Sequence, residues 1–108
     1  MNDEQYQSNL NGRRVDCQNV LKAFEQQNIL VDNIEENLHF MVNEYGAKTA
    51  SALFLVRLCD ICKQVVLDNA PGTISEYPNW RIKLSKSIEE LKSDTDFKAM
   101  MQLTKKYR

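Results

Sequence analysis

No apolar run in this sequence approaches the roughly 18 residues a membrane span requires, and the first twelve residues, polar and slightly acidic, lack the basic start and apolar stretch of a secretory signal. A soluble protein made and folded in a cytoplasm is the expectation. Cysteine is sparse and odd in number: Cys17, Cys59 and Cys62 argue against a disulfide framework and for a reducing compartment. Charge of one sign is missing too. Fourteen basic against fifteen acidic residues leave a formal charge of -1, so there is no overall field to hold nucleic acid phosphates. Lys98, Lys105, Lys106 and Arg108 cluster near the end, where cations complement a helix dipole. His39 is the only histidine, and there is no serine nucleophile motif and no glycine-rich phosphate loop, so nothing supports a hydrolytic triad. Neighbouring carboxylates such as Glu35 with Glu36 and Glu89 with Glu90 point about 100° apart on a helix and cannot flank one bond.

What is there reads as helix. The size, 108 residues, suits one domain with its own core. Residues 1–12 have little to bury and end in Asn11-Gly12, which predicts a flexible lead-in before a single helical domain over 13–108. Val15, Val20, Leu21 and Phe24 recur near helical spacing up to about Asn28. A second helix is expected from Asn33, with Glu36 completing a capping box; Ile34, Leu38, Met41 and Tyr45 form its stripe and Gly46 its stop. Residues 49–67 are apolar on nearly every side, and periodicity leaves a buried strand over 53–58 and a buried helix both open. Length favours helix. After an irregular turn over 68–73 and a loop to Asn79, that residue is expected to cap a fourth helix with Trp80, Leu84, Ile88 and Leu91 on one side. Ser93 to Asp96 break it, and a last helix carries Phe97, Met100, Met101, Thr104 and Tyr107. The expected fold class is all-α, a small bundle of four or five helices.

Cys59-Asp60-Ile61-Cys62 is a C-x-x-C that Cys17 and His39 could extend to a zinc set. The ligands would sit on predicted helices rather than on turns, so no metal or other cofactor is expected. A redox pair needs its first cysteine at a helix N-terminus. Cys59, deep in an apolar run, reads better as a small buried hydrophobe.

Asn69-Ala70-Pro71-Gly72-Thr73, followed by Glu76-Tyr77-Pro78-Asn79-Trp80-Arg81 and Lys83-Leu84, resembles the C-terminal signature of the amylomaltase (4-alpha-glucanotransferase) family. Its surroundings follow that family's order over roughly residues 13–108: a helical stretch ending near Asn28-Ile29-Leu30, a helix before Gly46, then Leu53 to Leu58 with Asp60. The resemblance implies the last part of a (β/α)8 barrel, with 53–58 as its final strand and the loop after it. Such a barrel needs about 250 residues. The family's nucleophile and acid/base carboxylates lie on upstream strands with no counterpart here, and retaining glycosidic chemistry needs two carboxyl groups about 5 Å apart. No residue of this sequence takes either role, so the chain is not expected to be an enzyme by itself. A lone strand would also leave buried backbone unpaired, so the segment either becomes helical, the favoured reading, or pairs with a second copy in a homodimer.

The resemblance leads to a non-catalytic helical interaction protein whose partner is another protein, cytoplasmic or exported as a bacterial effector. The motive is a chain with its own Met1 that keeps the terminal signature without the acid/base machinery. The alternative is a glucan-binding module, or a fragment that complements a separate glucanotransferase barrel. Asn69, Thr73, Asn79, Trp80 and Arg81 are the candidate glucan or partner contacts, with Trp80 as a stacking platform. Against that role, Trp80 falls on an apolar stripe that would bury it.

Overall fold

The computed structural model of the chain describes residues 2–108. Among them are five helices and no strand, so the fold class is all-α as expected. The chain divides into two compact units, Met1–Thr49 and Ala50–Arg108.

In the first unit, α1 runs Asp3–Gln26 and so includes most of the expected lead-in. Asn2 and Gln5 close a reciprocal capping box: the Asn2 carboxamide accepts from the Gln5 N–H at 2.8 Å, and the Gln5 side chain accepts from the Asn2 N–H at 3.2 Å. Asp3 and Glu4 sit in the first turn, where the helix dipole favours negative charge. Together these outweigh the roughly 1 kcal/mol penalty of an internal glycine, and Gly12 lies in open space within the helix. The helix ends in a Schellman motif. Asn28, at φ 57°, lets Ile29 N–H reach the Phe24 carbonyl at 2.9 Å and its own N–H reach Glu25 at 3.1 Å. Ile29 thereby folds back and joins Phe24 and Met41 in a buried cluster.

α2 spans Ile34–Lys48. The expected Asn33–Glu36 capping box does not form, because Asn33 adopts φ 43° and its side chain makes no cap bond. Its carbonyl instead accepts from the N–H groups of Glu36 and Asn37 at 3.1 and 3.0 Å. Nor is Gly46 the stop. The helix continues to Lys48, and the Thr49 hydroxyl donates to the Gly46 carbonyl at 2.8 Å. Lys48 Nζ caps the other helix end by donating to the Gln27 carbonyl at 2.5 Å. Of the expected stripe only Met41 is buried; Ile34, Leu38 and Tyr45 are exposed. Ile34, Leu38 and Val42, with Val20 and Leu21 of α1, leave an open apolar face with a groove of about 260 Å³.

In the second unit, the apolar stretch 49–67 is neither the long helix nor a paired strand. Helix is confined to one turn, α3, Leu58–Ile61. Before it the chain is extended: Leu53 and Leu55 are 73% and 75% exposed, while Phe54 and Val56 are half-buried. That is the two-residue alternation of a strand, yet among the described residues 52–56 exchange no backbone hydrogen bond. A helix apolar all round has to be wrapped on every side, and this unit has too few elements to do so. The fourth helix also starts later than expected. α4 is Ile88–Ser93, capped by Ser87, whose hydroxyl accepts from Glu90 N–H at 3.2 Å while the Glu90 carboxylate accepts from Ser87 N–H at 2.8 Å. This reciprocal box, S-x-x-E in sequence, prevails over Asn79, whose side chain is engaged elsewhere. α5, Thr95–Tyr107, is capped by Asp94 through the Phe97 N–H at 3.0 Å and carries Lys105 and Lys106 in its last turn. α3 and α4 both pack on α5, and Ile61, Leu91 and Met100 are the buried side chains they contribute. No helix among the described residues is long and apolar enough to cross a membrane.

Candidate functional site

The residues singled out in sequence converge on one loop, 68–81, held closed by its own side chains. Gly72, at φ 81°, allows the tight turn in which Thr73 N–H and hydroxyl both donate to the Ala70 carbonyl, at 3.2 and 2.5 Å. Asn79 clamps the two limbs. Its Oδ1 accepts from Ala70 N–H at 2.7 Å, and its Nδ2 donates to Thr73 Oγ1 at 3.0 Å. Trp80 N–H donates to the Asp68 carbonyl at 2.7 Å, and the Tyr77 hydroxyl donates to the Leu67 carbonyl. The base of the loop is fixed by the ion pair of Arg57 with Asp68. Behind it, Gln64 uses its carboxamide as a short backbone substitute, donating to the Lys83 carbonyl at 3.2 Å and accepting from Ser85 N–H at 2.9 Å.

This arrangement sorts the five candidates. Thr73 and Asn79 are half-buried and their polar atoms hold the loop together. Asn69, Trp80 and Arg81 stand on its surface. Trp80, expected on a buried helix stripe, is instead 76% exposed and sits at φ 60°. A left-handed backbone cannot continue a helix, so the fourth helix could not begin here. Asp68, Glu76 and Tyr77 complete the loop and were not singled out as site residues. Glu76 accepts from Ile74 N–H at 2.8 Å. Hydrogen bonds from its own backbone N–H and from that of Ile74 hold its carboxyl below the usual carboxylate range. A carboxylate beside a Pro-Gly turn was visible in sequence; its hydrogen-bond partner was not.

The other constellations stay apart. Cys17, Cys59 and Cys62 are free thiols, and among the described residues no three His, Cys, Asp or Glu side chains are placed to hold a metal ion. His39 is half-buried, with its carbonyl accepting from Asn43 Nδ2 at 2.7 Å and its ring edge-on to Phe40.

A 4-alpha-glucanotransferase family model matches residues 4–89, which takes in the whole 68–81 loop. The chain belongs to the 4-alpha-glucanotransferase family. A 4-alpha-glucanotransferase of Haemophilus influenzae is 29% identical over 97 residues, covering 82% of this chain and 14% of the relative. The chain therefore spans about one-seventh of the length of the curated relative it matches. No solved structure matches it.

Proposed function

We propose that this chain is not catalytic by itself and works by docking residues 52–56 between the strands of a barrel, supplied by the same polypeptide or by another. One observation carries the reading: an extended run whose backbone is unpaired and whose Leu53 and Leu55 face solvent at 73% and 75% exposure. An unpaired extended edge of this kind is a template for strand addition, and its apolar side chains match the continuous hydrophobic strands of parallel sheets. The acidic groups of the adjoining loop support the non-catalytic part. Asp68 is committed to Arg57, and Glu76 is held as a charged acceptor of backbone N–H groups.

The test mixes the chain with the Haemophilus glucanotransferase from which the matching C-terminal segment has been deleted. Co-elution and restored glucan transfer from maltoheptaose are expected, both lost with Leu53→Ser/Leu55→Ser. Absence of association with the wild-type chain overturns the reading.

A second reading, contact with an α-glucan through the loop, is favoured by the exposure of Trp80. An indole face open to solvent can stack on a sugar ring, with Asn69 and Arg81 as polar neighbours. Because Trp80 is the single tryptophan, a maltoheptaose titration read by selectively excited tryptophan fluorescence reports on this loop. A saturable change supports the reading, and a flat titration removes it.

A further inference from the structure

The cysteine pair lies where long-helix burial would not have put it. α3 holds Cys59 at its second position and Cys62 at its C-cap, and both free thiols are half-buried rather than enclosed. The turn between them is closed at both ends: Cys62 N–H donates to the Leu58 carbonyl at 3.1 Å, and Gln64 N–H donates to the Cys59 carbonyl at 2.9 Å, past Lys63 at φ 55°. Residues three apart in such a turn have Cα atoms about 5 Å apart, within the roughly 4.4–6.8 Å that a disulfide accepts, and their side chains share a face. Cys17 belongs to the other unit. Asp60 lies between the two cysteines and Lys63 follows them, while the Lys86 ammonium is held by the Asp94 carboxylate at 2.7 Å.

From this placement we propose that Cys59 and Cys62 form a reversible dithiol–disulfide site that exchanges with a small disulfide of the glutathione class. The thiolate of one cysteine attacks the small disulfide, whose S–S bond breaks. A mixed disulfide forms, and one thiol leaves carrying the proton that the cysteine lost. The second cysteine, also as thiolate, attacks the protein-side sulfur of the mixed disulfide and releases the second thiol with its proton. Two protein thiols are oxidised, and one disulfide is reduced to two thiols. α3 presents the pair on one helical turn.

The full chain is incubated with oxidised glutathione and digested with trypsin, which cuts after Arg57 and Lys63 and leaves both cysteines on one peptide. The expected product is that peptide two hydrogens lighter, with the circular dichroism of the intact chain retained and the dithiol restored by dithiothreitol. Cys62→Ser should stop at a single glutathione adduct on Cys59; if that variant does not fold, Cys59→Ser should stop at one on Cys62. A wild-type peptide bearing two glutathiones, or one left as a free dithiol, overturns the proposal.

Discussion

The side-chain carboxamide of Asn79 spans its loop to the backbone N–H of Ala70, 2.7 Å away, while its other end donates to Thr73. One side chain thus does for the loop what a strand ladder would do for a hairpin. Asn79→Ala should lower stability by about 1–3 kcal/mol, the cost of leaving half-buried polar partners unpaired. Urea unfolding measures the loss. Hydrogen exchange at the Ala70 amide should accelerate in the same variant, whereas the amides of α1 should not change.

Trp80 is exposed and left-handed at once. Trp80→Ala should therefore change stability by no more than about 0.5 kcal/mol, as for surface positions generally. Trp80→Gly should be more stable than Trp80→Ala by about 1–2 kcal/mol, because glycine adopts this left-handed backbone region without strain. Thermal unfolding of the two variants side by side decides the matter; a large loss in Trp80→Ala would return the indole to a core.

Lys86 and Asp94 form an ion pair at 2.7 Å across the start of α5. The Lys86 hydrogen bond, aided by the Phe97 N–H, holds the Asp94 carboxyl below its ordinary 3.8. Stability from this group is complete above 3.8 and is lost as pH falls through the lower folded value. The same contact raises the Lys86 ammonium above its ordinary 10.5, so its contribution is complete below 10.5 and is lost as pH rises through the higher folded value. Asp94→Asn keeps a good N-cap but removes the pair, and should flatten both limbs of a stability–pH profile. A profile unchanged by that substitution would separate the pair from folding.

Met100 and Leu53 are both large and apolar, yet one is 1% and the other 73% exposed. Met100→Ala should destabilise the second unit by about 2–5 kcal/mol through lost burial and a cavity. Leu53→Ser should cost the isolated chain about 0.5 kcal/mol or less. Chemical denaturation of the two variants provides the contrast.

Much was legible in the sequence where local chemistry is decisive. The all-α class and the last helix with its basic final turn follow from periodicity and helix signals, and a Pro-Gly turn motif marks the start of the loop, although Trp80 was expected on a helix. Helix starts were less legible because candidate caps compete. Ser87 with Glu90 forms a reciprocal box at the start of α4, whereas Asn79, equally eligible by residue type, spends its side chain on Ala70 and Thr73. The early start of α1 was encoded as well, in Asn2 and Gln5, but the Asn11-Gly12 pair obscured it.

By itself, then, the sequence determined the all-α class, the last helix and the family its motifs match, because helix signals and motifs lie within a few residues of one another. The fate of 52–57 and of Trp80 was decided only by tertiary structure. An apolar segment becomes a buried helix or a paired strand according to what surrounds it, and α3, α4 and α5 together do not surround this one. The backbone at Trp80 is turned left-handed by bonds reaching back to Asp68 and Ala70, and those long-range partners place the indole in solvent instead of in a core.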